Sequence, residues 1–99
     1  MAKRKQAGKF DAKQMAQQFS LLSDATRLGI LSALAKGPQS VTALCKALKI
    51  KPPGASHHLG LLRMGRLVTG TRKGKSVEYE MNAANLREMA DALAGLIRG

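Results

Sequence analysis

The sequence predicts a mostly α-helical domain carrying one β-hairpin, in the order α-α-α-α-β-β-α. Three observations carry this reading. Four segments before Gly65 and one after Asn82 place apolar residues at helical spacing. Between Leu67 and Met81 the period shortens to two around a glycine-containing turn. From Ala25 to Val77 the chain carries Arg27, Lys36, Lys46, Lys49, Lys51, Arg63, Arg66, Arg72, Lys73 and Lys75 without one Asp or Glu, a one-sign field that suits a polyanion.

Residues 1–9 hold Lys3, Arg4, Lys5 and Lys9 with too little apolar content to offset their ordering entropy, and are expected to form a flexible basic tail. Residues 10–99 read as a single domain. In its first helix Phe10, Met15, Phe19 and Leu22 recur among Gln14, Gln17 and Gln18. Ser23 or Asp24 caps a second helix, whose apolar face is Leu28, Ile30, Leu31 and Leu34 and which Gly37-Pro38 stops. Ser40 caps a short third helix through Val41, Leu44, Cys45 and Leu48 that ends near Lys49.

Pro52-Pro53 opens a fourth helix running to Gly65, because a proline's missing N–H has no partner to lose in a first turn. Two short helices joined by a tight turn make a helix-turn-helix, with the second as recognition helix. Leu67-Val68 begins a strand, Arg72-Lys73-Gly74-Lys75 makes the turn, and Val77, Tyr79 and Met81 alternate with Glu78 and Glu80 to complete the hairpin, or wing. Asn82 caps a last helix with a stripe of Leu86, Met89, Ala90, Leu93, Ala94 and Ile97. The fold class is a winged helix-turn-helix.

At 99 residues the domain has little core to spare, so dimerisation would help it. A net charge of +11 favours nucleic acid, although an anionic membrane surface would attract the same charge. No apolar run spans a bilayer and no signal-peptide core is present, so the cytoplasm is the expected compartment. Cys45 is the only cysteine, which excludes an internal disulfide and an all-cysteine metal cage within one chain. With no Trp, one Tyr (Tyr79), and only Phe10 and Phe19 as Phe, the chain lacks platforms for stacking single-stranded bases, and duplex DNA is the expected target. An enzyme is not expected: the histidines lie far in sequence from the carboxylates, and there is no phosphate loop.

Particular strings resemble the arsenic-repressor-like ArsR/SmtB family of winged-helix regulators. They are Leu22-Ser23-Asp24-Ala25-Thr26-Arg27-Leu28-Gly29-Ile30-Leu31, Ser56-His57-His58-Leu59 with Leu62-Arg63, Gly65-Arg66-Leu67-Val68, and Arg72-Lys73-Gly74-Lys75 with Tyr79. Together they cover roughly residues 20 to 82, and their order and spacing carry the match. The resemblance implies a homodimer joined by the first and last helices, with recognition helices in successive major grooves of an imperfect palindrome. On that basis the interface residues are Phe10, Met15, Phe19, Leu86, Met89, Leu93 and Ile97.

The expected DNA contacts are Lys51, Gly54, Ser56, His57, His58, Arg63, Arg72, Lys73 and Lys75. A serine hydroxyl or an imidazole can reach a phosphate or a base edge. His57 and His58 lie about 100° apart on a helix, so one of the pair turns inward, and His57 is favoured as the outward one. Lys51 stands where the family usually has a small capping residue. It cannot cap and opposes the helix dipole, so it reads as a phosphate contact. Gly54 stands where a polar side chain would often read a base, which leaves discrimination to fewer contacts or to DNA shape, or lets the backbone approach a phosphate.

Arg72, Lys73 and Lys75 gather on the wing. Arg63 and Arg66 read either as cations at a helix C-terminus or as phosphate contacts. Asp24 and Arg27 read as a helix cap and a local ion pair.

The family's metal sites use two cysteines separated by one residue at the start of the third helix, or Asp and His on the last helix. Here Ser40 and Thr42 stand at the first place, while Glu88 and Asp91 stand on the last helix without a histidine. Neither site is expected, nor is any cofactor or catalytic residue. Cys45 reads as a packed small hydrophobe. The expected function is that of a dimeric, sequence-specific duplex-DNA-binding repressor with no membrane contact. The rival is a nonspecific architectural DNA-binding protein, suggested by the charge and the side-chain-poor start of the recognition helix.

Overall fold

A computed structural model describes residues 11–99, so the basic tail at 1–9 and Phe10 lie outside the described residues. The elements are α1 (Ala12–Leu21), α2 (Ala25–Leu34), β1 (Gln39–Ser40), α3 (Val41–Leu48), α4 (Pro52–Met64), β2 (Val68–Lys73), β3 (Ser76–Met81) and α5 (Ala83–Arg98). The winged helix-turn-helix is therefore present, with one addition. Gln39-Ser40 forms a third strand, antiparallel to β3 with Gln39 opposite Tyr79, so the sheet order is β1-β3-β2. Two polar residues have no strand pattern of their own, and only the exposed edge of β3 recruits them.

Side-chain caps start most of the helices. Asp11 accepts from the N–H groups of Lys13 and Gln14. Asp24, not Ser23, caps α2 by accepting from Arg27 N–H at 3.0 Å, because Asp24 is the extended residue immediately before Ala25, while the Ser23 hydroxyl donates backward to Ser20 O. Ser40 caps α3 through Ala43 N–H, and Asn82 caps α5 through Asn85 N–H. Lys51 precedes α4 without a capping bond, and prolines fill the first two positions instead.

The core is one cluster of Ile30, Leu31, Leu34, Leu44, Leu59, Leu62, Leu67, Val68 and Met89. It fixes the orientation of α4, whose buried residues Ala55, Leu59 and Leu62 lie along a single face. Behind α4, Gln18 Nε2 donates to Gly65 O at 3.2 Å, and any side chain at Gly65 would run into Leu21. The α3–α4 turn passes through Lys49, held in the left-handed region at φ 56° as the C-cap of α3. That turn sets the angle between the two helices.

Candidate nucleic-acid interface

The buried face of α4 leaves Pro53, Gly54, Ser56, His57, Gly60, Arg63 and Met64 exposed on its other sides. Ser56, His57, Gly60, Leu61, Arg63 and Met64 line a shallow open depression along the helix. This surface is short of side chains. An added Cβ at Gly54 or Gly60 would meet nothing, so neither glycine is required by internal packing. Gly60 and Met64, the latter 81% exposed, were not among the sequence-derived candidates. Their exposure follows from their place opposite Ala55, Leu59 and Leu62 on the helix.

His57 is exposed and His58 is half-buried, their rings meeting edge to face with centroids 5.3 Å apart. His58 is turned toward α2, where its Nδ1 lies 3.2 Å from an Arg27 terminal nitrogen and 3.8 Å from Asp24 Oδ2. The local Asp24–Arg27 ion pair expected from sequence is replaced. Asp24 binds the Arg27 backbone N–H, while the Arg27 guanidinium goes to His58 and, through Nε, to Leu21 O at 2.7 Å. The Arg27 N–H on its carboxylate, with the Arg27 guanidinium charge nearby, holds Asp24 below the ordinary carboxylate value of 3.8.

Lys51 and Lys49 flank the tight turn, and both are exposed. On the wing, β2 and β3 pair as far as Lys73 opposite Ser76, leaving Gly74-Lys75 as a two-residue turn. Gly74 has φ +63°, the positive first central position of a type II′ turn, which only glycine fills without strain. Arg72, Lys73 and Lys75 are all exposed at this end. Arg72 and Lys73, as consecutive strand residues, project to opposite faces, while Lys75 lies in the turn between the strands. Arg72 shares its face with Val68, Val77, Tyr79 and Met81, whereas Lys73 shares the other with Glu78 and Glu80.

The expected interface residues are divided by the fold. Met89 is only 2% exposed and belongs to the chain's own core, while Met15, Phe19 and Leu86 pack against that core half-buried. Leu93 and Ile97 remain exposed at 47% and 82%, joined by Leu96, which sequence reading left out. Among the described residues no three His, Cys, Asp or Glu side chains converge. No described helix is long and apolar enough to cross a membrane.

A family model described as a helix-turn-helix domain matches residues 22–71. The transcriptional repressor SmtB homolog of Synechocystis sp. is 43% identical over 86 residues, covering 83% of this chain and 65% of that protein, so the chain spans just under two thirds of this relative's length. Among solved structures, an ArsR-like transcriptional regulator from Rhodococcus sp. matches with a TM-score of 0.79 at 29% identity, over 86% of this chain and 80% of the other. The homodimeric winged helix-turn-helix DNA-binding domain of a possible ArsR-family regulator from Mycobacterium bovis matches with a TM-score of 0.73 at 29% identity, over the same shares.

Proposed function

Because the chain belongs to the ArsR/SmtB family of winged helix-turn-helix regulators, we propose that it is a homodimeric transcriptional repressor that binds duplex DNA sequence-specifically. The observation that carries this reading is the division of α4 into a buried face and an outward face offering Ser56, His57 and Arg63 on a chain of charge +11. Seated in a major groove, α4 brings these side chains to base edges and phosphates, while Lys51 at its start and Arg72, Lys73 and Lys75 on the wing hold the flanking backbone. Repression follows as occlusion of promoter DNA by the dimer. The similar Synechocystis protein is a repressor and the similar M. bovis domain is homodimeric, which supports both parts of the reading.

The donor set argues against either familiar metal site. Ser40 and Thr42 offer hydroxyls where soft thiolates are needed, and on α5 Glu88 and Asp91 have no imidazole beside them.

Selection of bound duplexes from a random pool, followed by comparison of selected and random duplex over a salt series, tests the reading. A strong preference for the selected sequence supports a regulator. Equal affinity for both favours the architectural alternative, for which the bare Gly54 and Gly60 surface of α4 is the supporting observation.

A further inference from the structure

Three helices meet at Arg27. It lies in the first turn of α2, its Nε donates to Leu21 O at the end of α1, and a terminal nitrogen lies 3.2 Å from Nδ1 of His58 on α4. A guanidinium has only donors. Nδ1 must therefore be the acceptor in this contact and carry no hydrogen, which leaves the hydrogen of the imidazole on Nε2. Nε2 lies across the ring from Nδ1, so with Nδ1 turned to α2 it is turned away from α2. Among the described residues it meets no hydrogen-bond partner, and the side chain is still 21% accessible. Asp24 Oδ2, at 3.8 Å from Nδ1, is too distant to compete for the ring and is already bound to the Arg27 N–H.

We propose that Arg27 is a positioning residue for DNA recognition, holding the His58 ring so that its Nε2–H is a fixed donor to an acceptor on the duplex. The proposal rests on the regulatory reading above. A ring free to flip or to exchange its hydrogen presents a donor and an acceptor by turns, and neither a phosphate oxygen nor a purine acceptor is then met reliably. Arg27 removes that freedom before DNA arrives. It does so from α1 and α2, outside the recognition helix, so a change in the packing of these helices is transmitted to the His58 ring.

A double-mutant cycle of Arg27→Met and His58→Ala tests this, with affinity measured on a selected and on a random duplex and folding followed by thermal melting. The charge lost with Arg27 acts equally in both His58 backgrounds and cancels in the cycle. The expected result is that Arg27→Met weakens binding about threefold to tenfold more when His58 is present than when it is absent. Coupling on the selected duplex alone assigns the acceptor to a base edge, and equal coupling on both duplexes assigns it to a phosphate. If Arg27→Met does not fold, the state of the His58 ring in the wild-type protein, read directly by the spectra below, decides the matter.

Long-range proton–nitrogen spectra of the free protein give a second readout, with the His58 signals identified by their absence from His58→Ala. The wild type is expected to show a bare Nδ1 and a protonated Nε2, and the Arg27 variant a mixture of the two forms. A wild-type ring with its hydrogen on Nδ1, or substitutions whose effects on binding simply multiply, overturns the proposal. Wild-type protein that binds neither duplex at low salt overturns the regulatory reading itself, and this proposal with it.

Discussion

Lys73 Nζ lies 3.5 Å from Glu78 Oε1, so one of the wing's cations is already paired in the free protein. The pair is exposed, and exposed pairs contribute no more than about 1 kcal/mol, so a phosphate can compete for Lys73. Glu78→Gln frees the lysine and removes a charge that repels DNA. It is expected to raise affinity for selected and random duplexes alike by about twofold to threefold. Lys75→Ala is expected to flatten the salt dependence by about one unit, as for one lost phosphate contact. An unchanged salt slope would remove Lys75 from the interface.

Gly54 and Gly60 set stability against binding in a measurable way. Each lies within α4 with open space where a Cβ would go, so Gly54→Ala and Gly60→Ala are each expected to stabilise the fold by about 0.5–1 kcal/mol. If the bare surface exists to bring the helix backbone close to DNA, the same substitutions weaken binding. Higher melting temperatures with unchanged affinity would show that DNA does not approach these positions.

The apolar stripe of α5 serves two different contacts. Met89→Ala removes a core side chain and is expected to cost about 2–5 kcal/mol of stability. Leu93→Glu and Ile97→Glu alter exposed positions and are expected to yield folded monomers, read by sedimentation equilibrium beside thermal melting. A folded dimer of undiminished affinity in both variants would place the interface elsewhere.

Asp24 links pH to the junction of α1, α2 and α4. Its folded value lies below 3.8, so the stability it contributes is fully present above that pH and is lost as pH falls through the folded value. Asp24→Asn keeps a good cap without the charge. Its melting temperature is expected to fall less steeply than the wild type's below about pH 4, and parallel acid limbs would contradict the assignment.

DNA binding is expected to be indifferent to zinc and to trivalent arsenic. A metal shifts the equilibrium only through different affinities for the free and DNA-bound states, which needs several convergent soft or anionic ligands. Titration of the DNA complex checks this. Stoichiometric release at micromolar metal, abolished by Cys45→Ser or by removing Glu88 and Asp91, would establish a sensor assembled across the dimer.

Much of this architecture is legible residue by residue. Leu28, Ile30, Leu31 and Leu34 announce a helix, Pro52-Pro53 its neighbour's start, and Gly74 the hairpin turn, because spacing, a fixed φ and freedom at positive φ are local properties of the chain. The exposed wing cations and the outward His57 belong to the same class, since periodicity alone assigns a face. Other features depend on what lies across the fold. The strand at Gln39-Ser40 exists because β3 offers an edge, and Met89 is core while Leu93 is surface although both belong to the same apolar stripe of α5. His58 meets Arg27 across 31 residues of sequence, and Lys73 meets Glu78 on one face of the hairpin. Local pattern shows which residues are apolar, charged or turn-forming. Which of them become partners is decided when the core closes, because the direction of a long side chain is set by the nearest donor or acceptor in space and not by its neighbours in the chain.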